Sequence, residues 1–329
     1  MKYKLEKVNC PVCDSNQSRI YIENAKELYF GLNEYFNVEE CLDCKLIYTN
    51  PRPTQDTMGA FYIDNQGYLA PVEDDNSFYN LKIVQGILAK YYNYEIPYVN
   101  NSLWLDIAFK FYKKRLQIIH TPKYKKDGIL LDIGCSSGNY LSKMKDLGWN
   151  VYGVETNKLA AENAQKRLKT NTIMNGSLMD LSFQNNFFDV INMSMVLEHL
   201  YHPKKVLQVI NKILKDDGQL IISVPDISGF EAKIYKRYYH GLHVPQHLNH
   251  FSSRTITRLL SSSGFVVDKI IHQQGIRDFV VSAGNMKNKW LYKILNNIII
   301  RKFVLKAVMI ILSIIGKSSR MTIYARKTK

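Results

Sequence analysis

Short apolar runs alternate with stretches of helical spacing from Ile129 to Pro225, and this is the densest hydrophobic pattern in the chain. Residues 129–133 read as a buried strand, residues 134–138 as a turn poor in bulky side chains, and residues 141–147 as a helix. A second short apolar strand covers 151–155, and an Ala-rich amphipathic helix covers 157–168. Residues 172–175 lead into Gly176, and residues 187–195 form a longer apolar strand. A helix over 203–214, stopped by Asp217-Gly218, precedes a strand over 219–225. Strand and helix at this spacing predict βαβ units, hence a parallel sheet with helices on both faces. Upstream, Thr54 is placed to cap a short helix reaching Tyr62, and residues 78–94 and 102–120 show helical apolar spacing rich in Tyr and Phe. Such stripes make core or cover, and here also a lid. Downstream, residues 265–272 read as a strand whose partner begins near Met321.

The polar residues then fall where a ligand would. Open parallel sheets bind ligands off the carboxyl ends of their strands. Asp132, Glu155 and Asp180 all lie at or just past such ends. Glu155 follows the glycine turn by about 20 residues, the place where an acid takes a ribose hydroxyl pair. Gly134 and Gly138 admit a ligand close to backbone, and the N–H groups of the helix start favour an anionic or polar group. Ser136 stands where the dinucleotide fingerprint has its middle glycine, which disfavours a nicotinamide dehydrogenase.

Cysteine spacing adds a second module. Cys10 and Cys13, then Cys41 and Cys44, form two C-x2-C knuckles with 27 residues between Cys13 and Cys41. Four thiolates so arranged suit one structural, tetrahedral zinc, as in a zinc ribbon; two unrelated pairs of buried thiols are the alternative. A metal pinning both knuckles lets so small a piece fold without a large core. The fifth cysteine, Cys135, sits in the glycine turn, where a small packing residue is the expected role. Met1 to Cys10 lacks the apolar core of a signal peptide, and thiols at metal spacing fit a reducing, cytoplasmic setting.

The net charge of +15 is unevenly placed: residues 276–329 hold 12 Lys and Arg against the single acid Asp278, leaving +4 for the rest. The basic character belongs to the tail, so nucleic acid is not an expected partner. That tail carries apolar clusters over 290–316, interrupted by Arg301, Lys302 and Lys306. Its longest uncharged run, 307–316, is 10 residues, against the roughly 20 needed to cross a bilayer. A packed or oligomeric helical cover and a helix lying at the inner face of a membrane both remain open. Because the flanking strands must pair, the insert, 286–318, should return to its start.

Taken in order, these motifs resemble the class I S-adenosylmethionine-dependent methyltransferases. Residues 131–138 look like their first motif, Val154-Glu155 like the ribose-binding acid, and 176–180 like the adenine-side acid. Residues 188–199 look like the fourth motif, and Val196-Leu197-Glu198-His199-Leu200, with the His247 to Ser252 stretch, is similar to the ubiquinone-type small-molecule branch. The ribbon with Asn50-Pro51-Arg52-Pro53 is similar to enzymes among bacterial sugar and polysaccharide methyltransferases.

The resemblance implies a Rossmann-like seven-stranded α/β sheet with an N-terminal zinc ribbon (1–53), a helical lid or linker (54–127) and a cofactor-binding domain (128–329). It implies S-adenosylmethionine held by Asp132, Gly134, Cys135, Gly138, Glu155, Thr156, Asp180, Leu181 and Met193, with Met193 and Ser194 lining the floor near the sulfonium. The implied acceptor is a small molecule, a sugar or lipid-linked sugar. Relatives that bind a divalent ion at Glu-His carry another Glu three residues earlier, where this chain has Met195, so no catalytic cation is expected at Glu198, His199 and a third histidine. A side chain must then take the acceptor's proton. His199, His243, His247 and His250 are the candidates, His247 foremost and His199 next. Tyr62 and Tyr68, in the covering segment, could face the methyl group. The competing class is a non-catalytic binding protein using the ribbon and basic tail; the three acids at strand ends speak against it. The sequence does not fix the oligomeric state.

Overall fold

A computed structural model describes residues 3–62, 82–96 and 120–328. The chain divides into two compact units: residues 1–65, 194–211 and 222–328 form the first, and 66–193 with 212–221 form the second.

The first unit opens with β1 (Leu5–Glu6), β2 (Ser18–Lys26), β3 (Tyr35–Cys41), β4 (Ile47–Thr49) and β5 (Arg52–Pro53). β1 pairs with β5, and β2, β3 and β4 form an antiparallel sheet. The two cysteine knuckles share one backbone shape. Asp14 N–H donates to the Cys10 carbonyl and Lys45 N–H to that of Cys41. Asp14 and Lys45 then turn left-handed, at φ 61° and 66°. Thr54 does not cap a helix. Its hydroxyl meets that of Thr57 at 2.8 Å, and a single 3-10 turn follows over Met58–Phe61.

The second unit carries the βαβ core. The helix α1 (Lys82–Tyr92) precedes it, and residues 102–119 of the second apolar stripe lie outside the described residues. β6 (Ile129–Ile133) leads through the glycine turn to α2 (Asn139–Asp146), then β7 (Asn150–Glu155), α3 (Lys158–Leu168), β8 (Ile173–Asn175) and β9 (Phe188–Ser194). Leu130, Leu131 and Ile133 are buried, as expected of a strand between two parallel neighbours. Asn157 caps α3 by accepting the Ala160 N–H at 3.0 Å. At the other end of the sheet Asp189 accepts from Lys215 Nζ and from the Ile129 N–H at 2.9 Å, and pairs with Lys125 at 2.7 Å. Burial alone would raise that carboxyl, but these donors outweigh it and hold it below its usual range.

α4 (Pro203–Ile213) runs directly into β10 (Leu214–Pro225). The expected stop at Asp217-Gly218 therefore lies inside a strand. The N–H groups of Asn186 and Phe187 donate to the carbonyls of Lys212 and Ile213, which draws the chain into extended pairing several residues early.

Returning to the first unit, α5 (Phe230–Tyr235) is followed by β11 (Asn249–His250) and α6 (Ser253–Ser261), which opens on a capping box between Ser252 and Thr255. β11 adds to β4, so the ribbon sheet runs β11-β4-β3-β2. The ribbon is thus not the self-contained piece that its spacing promised, because its edge is closed by residues some 200 positions later. β12 (Phe265–His272) and β13 (Arg320–Lys327) pair antiparallel, and the segment between them returns to its start. That segment holds α7 (Ile276–Asn285), α8 (Lys289–Asn296), a π-type stretch Ile300–Leu305 and α9 (Lys306–Ile314). Among the described residues no helix is long and apolar enough to cross a membrane. The main sheet has seven strands in the order β12-β13-β10-β9-β6-β7-β8, with β12 and β13 antiparallel and β9, β6, β7 and β8 parallel as expected.

Candidate functional site

Two groups of polar residues are built by this fold, one in each unit. In the second unit, Asp132 sits near the end of β6, opposite Gly153 of β7 and Asn192 of β9. Its carboxylate is buried and accepts one hydrogen bond, from Asn192 Nδ2 at 2.7 Å. Burial raises its pKa from 3.8 to about 7, the Asn192 hydrogen bond lowers it, and the nearby Glu155 charge raises it further. Glu155 closes β7, is buried, and takes the Ser136 N–H and the Asn157 N–H, each at 2.8 Å, with the Thr156 hydroxyl at 3.4 Å. The acid thus shapes the glycine turn from across the strand tips while keeping lone-pair capacity for a ligand hydroxyl. Neither Asp132 nor Glu155 meets a Lys or Arg among the described residues.

The turn is left-handed at three positions, Gly134, Ser136 and Gly138, with φ of 73°, 48° and 80°. Gly138 also has a packing role. A Cβ there would come within 3.1 Å of Ala164 Cβ and 3.3 Å of Leu168 Cδ1, so its bareness lets α2 start against α3. Cys135 is buried over Gly153, where an added Cβ would lie 2.7 Å from its Sγ. Burial, with the charges of Asp132 and Glu155, raises that thiol, which fits packing and not nucleophilic chemistry. Met193 is buried in β9, paired with Ile133. Asp180 ends the 3-10 turn Leu178–Asp180 and is exposed, with Leu181 half-buried beside it. Two residues here were not foreseen. Asn192 orients Asp132, and His120 Nδ1 reaches Asn192 Oδ1 at 3.2 Å. Asn192 is a polar residue in the buried middle of β9, a signal by which the sequence could have marked it.

In the first unit the Glu-His motif forms the 3-10 turn Leu197–His199. His199 Nδ1 lies 2.9 Å from the Gln246 carbonyl and 3.2 Å from the Tyr62 hydroxyl. His247 Nδ1 lies 2.9 Å from the Gly241 carbonyl. Their rings stand 4.7 Å apart, with His243 a further 4.8 Å from His247. Burial lowers the pKa of His199 to about 4 and of His243 to about 3, and drives His247 well below its usual value, so all three are neutral at pH 7. His250 is set apart: its Nε2 meets Thr49 Oγ1 at 3.2 Å, and β11 holds it on the ribbon sheet. Glu198 is buried between these elements, and neither carboxylate oxygen has a hydrogen-bond partner. Met195 supplies no ligand, but His247 comes to the place from another loop. One ligand atom each of Glu198, His199 and His247 lie within 4.8 Å of one another. Tyr68 lies outside the described residues.

The four knuckle cysteines also converge, with Sγ atoms of Cys10 and Cys44 3.3 Å apart and those of Cys13 and Cys41 3.6 Å apart. A tetrahedral zinc with bonds of about 2.3 Å spaces its sulfurs by roughly 3.8 Å, so the set fits such an ion. The donor set at the strand tips fits S-adenosylmethionine likewise: two buried acids without a cationic partner face a ligand that carries an ammonium and a ribose diol.

A family profile described as a methyltransferase domain matches residues 106–270, half of the chain. Among curated relatives, an uncharacterized protein of Methanocaldococcus jannaschii is 28% identical over 49% of this chain and 75% of its own. The mitochondrial ubiquinone biosynthesis O-methyltransferase of Schizosaccharomyces pombe is 32% identical over 37% of this chain and 44% of its own length, so the match spans less than half of that relative. The demethylmenaquinone methyltransferase of Thermotoga maritima is 26% identical over 43% of this chain and 62% of its own. A solved S-adenosylmethionine-dependent methyltransferase of Archaeoglobus fulgidus aligns over 66% of this chain and 94% of its own, at 20% identity and a TM-score of 0.45. The profile runs from ahead of the glycine turn through the strand-tip acids, the Glu-His motif and His247, and the chain belongs to the family of S-adenosylmethionine-dependent methyltransferase domains.

Proposed function

We propose that this chain moves the methyl group of S-adenosylmethionine to an oxygen of a small-molecule acceptor of the sugar class, whether free sugar, nucleotide sugar or lipid-linked saccharide; transfer to carbon is the variant reading. The observation that carries it is the pair of buried, cation-free carboxylates, Asp132 and Glu155, on neighbouring strand tips beside the glycine turn. Asp132 would meet the cofactor's ammonium and Glu155 its ribose, with Gly134, Cys135, Gly138 and Thr156 shaping the turn around them. Asp180 and Leu181 would border the adenine, and Met193 the sulfonium end. The sulfonium supplies the driving force, and the protein supplies orientation. His247, with His199 beside it, would accept the acceptor's proton, since each is an unprotonated imidazole whose Nδ1 is already anchored on a carbonyl.

Residues 1–53 would hold one structural zinc through Cys10, Cys13, Cys41 and Cys44, residues 54–127 would cover the cofactor domain, and residues 128–329 would form it. The ribbon with Asn50-Pro51-Arg52-Pro53 supports the sugar class. Contact with the inner face of a membrane through 290–316 goes with a lipid-linked acceptor. Trp290, Ile298, Ile299, Phe303, Ile311 and Ile314 are all exposed, and residues 286–320 contain eight Lys and Arg and no acid. Apolar surface among basic residues is stabilised where lipid tails meet anionic headgroups. Flotation with phosphatidylglycerol vesicles tests this; protein left at the bottom of the gradient with anionic and neutral vesicles alike removes the membrane contact.

Titration calorimetry with S-adenosylhomocysteine tests the cofactor, and absence of binding ends the methyl-transfer reading. An acceptor screen on nucleotide sugars follows. Turnover of a quinol-type phenol in place of every saccharide would give the acceptor class to that of the ubiquinone and menaquinone relatives.

A further inference from the structure

Three acids are buried where the insert joins the sheet, and the sites described above use none of them. Asp226 follows the last residue of β10, Glu231 lies in α5 and Asp278 in the first turn of α7. Backbone hydrogen bonds knit this root together. Phe230 N–H donates to the Lys317 carbonyl and Asp226 N–H to that of Ser319, each at 2.7 Å, and Gln273 N–H to that of Arg320 at 2.8 Å. A Cβ on Gly275 would stand 3.5 Å from Glu231 Oε1 and 3.6 Å from Asp278 Oδ2, so the two carboxylates flank one glycine. Positive charge falls short of these acids. Arg320 pairs with Asp278 at 3.1 Å. Both oxygens of Glu231 and Oδ2 of Asp226 are buried with no hydrogen-bond partner among the described residues, whereas buried carboxylates ordinarily have donors around them. His272 Nδ1 lies 3.6 Å from Asp226, and His240 Nε2 lies 3.8 Å from Asp278. Lys317 acts on Asp226 by charge, and Arg277 on His240. Tyr29, Tyr235 and Tyr239 are phenols within reach of the acids, and burial with the acids' charges raises all three.

We infer that Asp226, Glu231 and Asp278 form a proton-operated clasp on the root of the insert, closed while they hold a proton and loosened when all three are ionised. A protonated carboxyl turns one acceptor into a donor, which is what this cluster lacks. Like charges sharing a buried site oppose each other's ionisation. Burial, with the charge of Asp278, raises the Glu231 carboxyl from 4.5 to about 7, and burial raises that of Asp226 as well. The closed root therefore keeps a proton that the opened root releases to water. Closure is strongest below about pH 4.5 and is lost as pH rises through about 7. What the clasp holds is the segment with exposed Trp290, Ile298, Phe303 and Ile314, which opening would free to move against a surface. That use deepens the membrane-contact reading and rests on it; the clasp itself does not.

The test is amide hydrogen exchange of the full chain from pH 5.5 to 8, wild type beside Glu231→Gln, with each rate corrected for its intrinsic dependence on pH. Protection of residues 286–320 in wild type should fall by about tenfold per pH unit up to pH 7 and level off above it. In Glu231→Gln, which cannot ionise there, most of that fall should be absent. Strand β3 of the ribbon is the internal control and should give one profile in both proteins. Equal profiles for 286–320 in the two proteins overturn the clasp. A difference of the same size in β3 overturns it too, because the acid then sets global stability and not the root. If Glu231→Gln does not fold by circular dichroism, Asp226→Asn replaces it with the same expectation. Flotation of the same proteins with phosphatidylglycerol vesicles at pH 5.5 and 7.5 separates the two readings. Protection that follows pH without flotation at either value removes the membrane contact alone, and flotation of a protein whose protection ignores pH removes the clasp alone.

Discussion

Replacing Asp132 with Asn should make the protein more stable above neutral pH. Asp132 is buried with one hydrogen bond and no cation, and its pKa is raised from 3.8 to about 7. Raising the folded pKa of an acid means that the folded state holds the proton more tightly than the unfolded chain. Stability from this group is therefore fully present below about pH 4 and is lost as pH rises through about 7. At 1.36 kcal/mol per pH unit, the ionised form carries a penalty of up to roughly 4 kcal/mol. The amide that replaces the carboxyl cannot ionise, and its carbonyl can still accept from Asn192. Urea denaturation from pH 5 to 8.5 should show the two stability curves diverging toward alkaline pH, with Asp132→Asn above the wild type by a few kcal/mol. Glu198 and Glu231 are raised to about 8 and about 7 by burial and titrate in the same window, so the difference between curves is the quantity to read. In the wild type a cofactor ammonium favours the ionised acid, and S-adenosylhomocysteine should bind more tightly as pH rises from 5.5 to 7.5. In Asp132→Asn that gain should vanish. Parallel stability curves for the two proteins would refute the argument.

His247→Ala should lose turnover while keeping its affinity for S-adenosylhomocysteine, as the proposed role of His247 as the acceptor's base requires; wild-type rates in that variant remove it from the mechanism. Gly138→Ala combines a left-handed φ of 80° with a contact of 3.1 Å to Ala164, and a loss of about 2–4 kcal/mol is expected from conformational strain and overpacking together. Gly31→Ala, at φ 70° with nothing within 4 Å, is the control and should lose only the strain; urea midpoints compare them. Cys41→Ser should release zinc and lower the melting temperature, and metal analysis that finds the same zinc content in the variant and in the wild type would remove the ribbon assignment.

Periodicity was enough for the core. The apolar runs at 129–133, 151–155 and 187–195 had no alternative to a parallel sheet, and their terminal acids marked the strand tips. What the sequence hid came from distance along the chain or from context. The early start of β10 depends on hydrogen bonds from Asn186 and Phe187, which no local propensity encodes. The role of Gly138 depends on Ala164, one helix away. Asn192 and His120 became visible only once β9 was laid beside β6. The sequence placed Glu198 and His199 with a third histidine but did not say which; folding brings His247 beside them from another loop.

The closing of the ribbon by β11 ties the cysteines mechanically to the histidine loop. Cys41 ends β3, β3 pairs with β4, and Thr49 at the end of β4 donates its hydroxyl to the His247 carbonyl at 2.8 Å. Disulfide formation would pull sulfurs now 3.3 Å apart to about 2.05 Å and displace any ion between them. The exposed Cys13 is where an oxidant would arrive first. A displacement of the knuckles would thus be carried along β3 and β4 to the backbone at His247.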